Sequence, residues 1–326
     1  MKAVLCKQYG PPHTLVVEEL PSPTPGPDEV VLSVRAAGVN FPDLLIIENK
    51  YQLKPPLPFS PGGEAAGIVT QVGDNVDRVR VGDRVIALTG YGAFAEEIVA
   101  PAARLMRVPD GMDDVTAAAF LYTYGTADHA LRDRGELAAG ETVLVLGAAG
   151  GVGLAAVDVA MALGAKVIAC ASTDEKLTAC REHGADATIN YVTEDLRAEI
   201  KRLTQDEGVD VVVDPVGGRY TEPALRSMAW RGRFLVIGFA AGEIPKVPLN
   251  LALLKGCSIV GVFWGAFSRR EPARFAESVD QLACWYGEGR LKPHIDRTFP
   301  LERAADALIF VAARQVIGKV VLTMRD

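Results

Sequence analysis

Between Val143 and Lys176 the chain reads VLVLGAAGGVGLAAVDVAMALGAKVIACASTDEK. Four glycines, Gly147, Gly150, Gly151 and Gly153, fall within seven residues, after one apolar run and before another. Strand, glycine turn, helix is the order a phosphate-binding loop requires. Backbone N–H groups and the positive end of the helix dipole converge on an anion there. Set against G-x-G-x-x-G, the positions are Ala148, Gly150 and Gly153, so alanine stands in the first glycine place. The hexad alone is a weak signal, and the strand and helix around it give it weight. A membrane span is excluded, because it needs about 20 apolar residues in a row. Asp158 and Lys166 interrupt this stretch.

The end of the next strand discriminates between dinucleotides. An acid there would hold the adenosine ribose hydroxyls of NAD. This chain has Ser172 instead, with Lys176 just beyond it and Tyr191 after the third strand. A carboxylate 4 Å from a 2′-phosphate would repel it by about 1 kcal/mol per unit charge in water and about 4 in a protein-like dielectric. Its absence, with a lysine nearby, points to NADPH. Lys176 also reads as a solvated helix residue, since exposed lysines are the rule. Asp174 and Glu175 dilute the basic character and favour a helix N-terminus.

These residues need elements to hold them. From about residue 123 the chain alternates strand and helix: TVLVLG then GVGLAAVDVAMALG, KVIACA then DEKLTACREHG, ATINY then TEDLRAEIKRLTQ, VDVVVDPVG then YTEPALRSMAW, GRFLVIGFA, and finally the apolar run GCSIVGVFWG. Six strands with helical crossovers predict a parallel, doubly wound sheet. Residues 1–122 read as β-rich, with short Val/Ile/Ala runs between Gly, Pro and Asp breaks. After about 266 come a helix, EPARFAESVDQLACWYGEGRL, a short segment, AADALIFVAARQ, and a last strand, GKVVLTM. This tail lacks a core of its own and is expected to pack back on the β-rich part. The length, 326 residues, suits two domains.

Charge and cysteines bound the setting. The net charge is −7 without a dense basic run, which disfavours nucleic acid and anionic membrane surfaces. Five widely spaced cysteines, Cys6, Cys170, Cys180, Cys257 and Cys284, fit reduced thiols. MKAVLCKQYG has too short an apolar run for a signal core, so a cytoplasmic protein is expected.

The chain resembles the zinc-free quinone oxidoreductase branch of the medium-chain dehydrogenase/reductase superfamily over essentially its whole length. The resemblance rests on AAGVNFPDLLIIENKY, PFSPGGEAAGIV, VGDRV, YGTADHAL, GETVLVLGAAGGVGLAAV, GADATINY, VDVVVDPVGG, GRFLVIGFAAGEIPK and IGKVVL. It implies an α/β protein: a GroES-like catalytic domain from residues 1–122 and 266–326, a Rossmann domain over 123–265, and an active site in the cleft between them. It implies cofactor contacts from Asn40, Thr126, Gly151, Val152, Ser172, Lys176, Tyr191, Val216, Phe239 and Arg314, beside the loop glycines Gly150 and Gly153. It also suggests a homodimer paired through SIVGVFWG (258–265), an apolar sheet edge that would otherwise be a liability.

Where zinc members of the superfamily carry a cysteine ligand, this chain has Asn40. Where they carry the histidine of Gly-His-Glu, it has Gly63 followed by Glu64, and the four-cysteine structural lobe is missing. No two of His13, His129, His183 and His294 share a short ligand spacing. A site that needs three protein ligands is not supplied, so no catalytic metal is expected and Glu64 reads as a structural ion-pair or hydrogen-bond partner. Stabilising the reduced acceptor then falls to hydrogen-bond donors, water or the acceptor itself, which suits electron-poor quinones and enones better than simple ketones. Tyr51 matches the place of a tyrosine proposed as proton donor in related enoyl reductases; it reads equally as a packing aromatic. Asn40 and Thr126 would orient nicotinamide and ribose, and Thr126 also reads as the N-cap of the TADHAL helix. Phe94, Phe263 and Trp264 are candidate walls of a flat acceptor site and also candidate core. Reduction of quinones, reduction of the C=C bond of α,β-unsaturated ketones or enoyl thioesters, and NADPH sensing with little turnover all fit the sequence.

Overall fold

The computed structural model describes residues 1–324 of the chain. It forms two compact units, Met1–Leu121 with the C-terminal segment from His294, and Tyr122–Pro293. The second unit is built on a six-stranded sheet in the order Ala187–Asn190, Lys166–Ala171, Thr142–Leu146, Val209–Asp214, Met228–Val236, Ser258–Gly261. Every neighbouring pair is parallel. Strands in the middle of the sheet are fully buried, as in Val143–Leu146 and Val211–Val213, because crossover helices cover both faces. That is why these strands read as unbroken apolar runs rather than as alternation.

In the first unit a seven-stranded sheet runs Ile295–Pro300, Lys319–Thr323, Glu29–Val39, Glu64–Val72, Arg84–Leu88, Leu105–Arg107, with Glu97–Pro101 also pairing with Glu29–Val39. Its pairs are antiparallel apart from the first, which is parallel. The closing strand thus adds directly to Glu29–Val39, with Val320 opposite Val39. This α/β pair of a GroES-like unit and a parallel doubly wound unit is the fold class expected.

Two details differ from the sequence reading. The chain returns to the first unit at 294, where 266 was expected, because the helix Pro272–Gly287 belongs to the second unit. Its Leu282 and Trp285 are buried, Ser278 Oγ donates to Asp128, and Phe275 packs on Trp264 and Phe267. The last strand of the parallel sheet also ends at Gly261 instead of running to Gly265. Trp264 opens a helix, Trp264–Arg270, and its ring lies flat enough on Gly125 that a Cβ there would meet it at 2.7 Å. Bulk at 264 needs that glycine, so the chain turns off the sheet edge to bury it.

Among the described residues no helix is long and apolar enough to cross a membrane. Asp158, which interrupts the apolar helix, is itself buried. It accepts from Tyr124 Oη at 2.6 Å and Lys292 N at 2.8 Å, and lies 2.7 Å from His183 Nδ1.

Candidate functional site

In the second unit the strand Thr142–Leu146 ends in a tight turn. Gly147 has φ +60°, a left-handed conformation that suits glycine. Gly150 N donates to Gly147 O at 3.0 Å, and Gly150 then stands as N-cap of the helix Gly151–Ala162. A Cβ on Gly153 would lie 2.2 Å from Gly147 O, so only glycine fits there. A helix leaves its first N–H groups without intrahelical partners, and no side chain caps these. The amides of Gly151, Val152 and Gly153 thus have the geometry that suits an anion at a helix N-terminus. Gly153→Ala is expected to force the loop off its turn and to destabilise the protein by about 1–3 kcal/mol, as overpacking does. An unchanged urea midpoint would contradict this close packing.

The residues expected around a ribose phosphate come together at neighbouring strand ends. Ser172 follows Lys166–Ala171 directly, and Tyr191 N donates to Ala171 O at 3.2 Å. Half-buried Lys176 lies in the first turn of the helix Asp174–Glu182, where its backbone N–H reaches the cap, Thr173 Oγ1, at 3.3 Å. Asp174 and Glu175 occupy the same turn, which suits the helix dipole. Two further residues, unmarked in the sequence reading, stand beside Tyr191. The Tyr191 ring packs on Tyr220 at 4.1 Å between centroids, and the Arg219 guanidinium lies 4.9 Å over Tyr220. The signal was the basic–aromatic pair right after VDPVGG.

Asp214 shapes the turn that carries Val216. Its carboxylate accepts from Val216 N at 2.9 Å, Gly217 N at 2.7 Å and Thr221 Oγ1 at 2.8 Å. Burial raises the Asp214 pKa, and these three donors oppose the rise. Val216 lies against Gly147, where a Cβ would meet its Cγ2 at 2.6 Å, and the Phe239 ring covers Gly217 in the same way at 2.9 Å. Glycine loop, Val216 and Phe239 are therefore neighbours. Thr126 is buried inside the helix Leu121–Asp128, and its Oγ1 donates back to Tyr122 O at 2.6 Å. The N-cap reading of Thr126 is thus corrected, because the helix starts earlier than TADHAL.

The first unit holds Asn40, Tyr51 and Arg314. Asn40 ends the strand Glu29–Val39 and caps the helix Phe41–Ile47. Lys319 Nζ donates to Asn40 Oδ1 at 2.6 Å and Val39 O at 3.2 Å, and lies 3.9 Å from Glu64 Oε2. Asp43 Oδ2 accepts from Asn40 N at 2.7 Å. All four side chains are buried. Desolvation pushes the Asp43 carboxyl up to about 7, against the backbone N–H groups of Asn40 and Gly62 and the charge of Lys319, with Glu64 adding to the rise. Desolvation lowers the Lys319 pKa, against the pull of both carboxylates. Tyr51 is half-buried on the first unit's core, and Arg314 is exposed with φ +56° after the helix Ala304–Ala312. Phe94 is wholly buried beneath Gly62 and Trp264 is buried, so both are core, while Phe263 is half exposed.

The raised Asp43 pKa carries a pH dependence of stability. The folded state keeps a proton that the unfolded chain, titrating near the ordinary 3.8, has lost. This contribution is complete below pH 4 and is lost as pH rises through about 7. The slope is at most about 1.4 kcal/mol per pH unit. Asp43→Asn is expected to flatten urea stability across that window. An identical slope in the variant would show that the proton sits elsewhere.

Comparison with known proteins agrees with this architecture. The family described as alcohol dehydrogenase GroES-like domain matches residues 26–110, and zinc-binding dehydrogenase matches residues 151–283. The chain is 42% identical to a quinone oxidoreductase-like protein 2 homolog of Nematostella vectensis, over all of this chain and 89% of the relative. The chain belongs to the quinone oxidoreductase branch of the medium-chain dehydrogenase/reductase superfamily. It is also 36% identical to a quinone oxidoreductase of Pseudomonas aeruginosa, over 98% of this chain and 99% of that one. The crystal structure of Escherichia coli quinone oxidoreductase complexed with NADPH superposes with a TM-score of 0.93 at 30% identity, covering 99% of this chain and 100% of that one.

One matching description speaks of zinc, and the residues of this branch member do not fit it. Among the described residues no three His, Cys, Asp or Glu side chains group as a metal site. At Asn40 and Glu64 the cation supplied is the chain's own Lys319 ammonium.

Proposed function

We propose that this chain is an NADPH-dependent oxidoreductase that passes a hydride to quinones or similar electron-poor carbonyl acceptors without a metal. The observation that carries the cofactor choice is the strand end itself. Ser172 stands where an NAD enzyme would place an acid, with Tyr191 bonded to the adjacent Ala171 and Lys176 one turn on. The uncapped amides of Gly151, Val152 and Gly153, behind Gly150, would hold the pyrophosphate. Val216 and Phe239 would flank the cofactor, and Asn40, Thr126 and Arg314 would complete its contacts. When bound, NADPH supplies the hydride. The protein's part is to orient the acceptor, exclude water and offer donors to the oxygen that gains charge. The NADPH complex of the Escherichia coli relative supports this reading.

A soluble-quinone and enone panel, run with NADPH and NADH, tests it. Faster NADPH oxidation with quinones is the expected result. Preference for enones would favour the second reading, reduction of activated C=C bonds, which the half-buried Tyr51 as proton donor would serve. Binding of NADPH without turnover on any acceptor would favour a sensor and reject the enzyme. Cys6, Cys170, Cys180, Cys257 and Cys284 are all free thiols, in keeping with a reducing, cytoplasmic setting.

Homodimer formation belongs to the same proposal. Ser258–Gly261 is an edge strand, with Ile259 and Phe263 about half exposed. Leu249, Leu253 and Leu254, in and beside the helix Asn250–Lys255, are 70–80% exposed. An unpaired apolar edge of this kind favours pairing with a second copy about a two-fold axis. Light scattering at micromolar concentration is expected to give a dimer, and a monomer would end the idea.

A further inference from the structure

Lys319 is buried, yet it lies 279 residues from the Asn40 oxygen it serves. A buried ammonium is costly unless it is paired and hydrogen-bonded. Here the Glu64 carboxylate faces it, and the Val39 and Asn40 oxygens accept from it. The arrangement constrains Asn40 in one particular way. An ammonium only donates, so it selects the oxygen of the Asn40 amide and turns the NH2 the other way. Nδ2 accordingly donates to Gly38 O at 3.3 Å, which uses one of its two hydrogens. The backbone beneath is held as well. Asp43 takes the Asn40 N–H, and Gly38 lies so close to Ala118 O that a Cβ would meet it at 2.2 Å.

We propose that Lys319 is a positioning residue for the hydride-transfer site: its ammonium fixes the flip of the Asn40 amide, so that Asn40 presents a hydrogen-bond donor, not an acceptor, to a bound carbonyl oxygen. That oxygen is the nicotinamide carboxamide or the acceptor carbonyl. The inference rests on the reading above that Asn40 contacts the bound reactants. Without the ammonium only the long bond from Nδ2 to Gly38 O, at 3.3 Å, separates the two flips. With it, a charge-assisted bond favours one by about tenfold or more. A donor at this point also supplies what a metal would otherwise give, stabilisation of developing negative charge.

Removing Lys319 alone would strand a buried carboxylate, so the charges are removed together. Lys319→Met/Glu64→Gln is compared with the unmutated protein, because Glu64→Gln alone would leave the buried ammonium without its carboxylate. The double variant is expected to lose about tenfold or more relative to that reference, the ratio of the two flips. Loss in kcat at constant NADPH affinity assigns the oxygen to the acceptor, and a matching rise in the NADPH dissociation constant assigns it to nicotinamide. Equal kcat and equal NADPH affinity in the double variant and the unmutated protein would overturn the proposal. A second measurement needs neither a variant nor turnover. In the unmutated protein, nuclear Overhauser contacts from the Asn40 NH2 hydrogens are expected to reach the Gly38 Hα and not the Lys319 Hε. The reverse pattern would overturn the proposal even in an active enzyme. Absence of turnover with the expected contacts would reject the functional reading and leave the flip established.

Discussion

Lys176→Ala is expected to weaken NADPH binding by roughly 10–150-fold and to leave NADH nearly unchanged. The range is a charge-assisted hydrogen bond of about 1.5–3 kcal/mol expressed as a ratio. The substitution isolates the side chain well. Alanine is the best helix former, and the Thr173 cap bonds the backbone N–H of residue 176, which remains. The ring of Tyr191 also stays, tilted against Tyr220, which has Arg219 over its own ring. The two cofactors differ only in the 2′-phosphate, so a selective loss assigns the lysine to that group. Titration of both cofactors by their fluorescence decides it. An equal loss for NADH and NADPH would make Lys176 a helix residue whose removal disturbs the fold, and Ser172 with Tyr191 would be left to carry the preference.

The glycine loop, the strand end and the parallel sheet were legible because each is local. Gly153 stands three residues after Gly150, and its need for close approach to Gly147 arises within one turn of chain. Ser172 and Lys176 share a strand end and the next helical turn, so spacing alone brings them together. What stayed hidden depends on distant partners. Lys319 sits in IGKVVL, which reads only as a closing strand, and the pairing of Lys319–Thr323 with Glu29–Val39 is what brings it to Asn40. Asp158 reads as a break in an apolar helix, and nothing near it in sequence announces Tyr124, His183 or Lys292 as partners. The end of the last parallel strand was misread for a similar reason. VFWG continues the apolar run, but the Trp264 ring is buried on Gly125, far away in the chain. The RY pair after VDPVGG is visible in the sequence, but that Tyr220 lies against Tyr191, with Arg219 over its ring, comes only from the fold.

Tyr51→Phe is expected to lower kcat on enones by about 10²–10⁴-fold, the usual worth of general acid catalysis. A phenol hydroxyl is a hydrogen-bond donor and can donate to an oxygen that gains charge. Reduction of an enone leaves an enolate that must be protonated, so loss of the donor falls on the rate itself. A strongly oxidising quinone gives a hydroquinone anion stable enough to wait for water, so its turnover is expected to fall much less. The two acceptors thus separate proton donation from placement. Tyr51 is half-buried against the core of the first unit, and phenylalanine keeps the ring that makes those contacts. Folding is therefore preserved, and a change in melting temperature of more than a few degrees would mark the hydroxyl as structural. If both acceptors keep their kcat, Tyr51 packs and does no more. The acid role would then pass to water, and the protein's contribution to the chemical step would reduce to the oriented Asn40 donor and the exclusion of solvent. Equal losses on enone and quinone would point instead to a misplaced acceptor, because placement affects both and protonation only one.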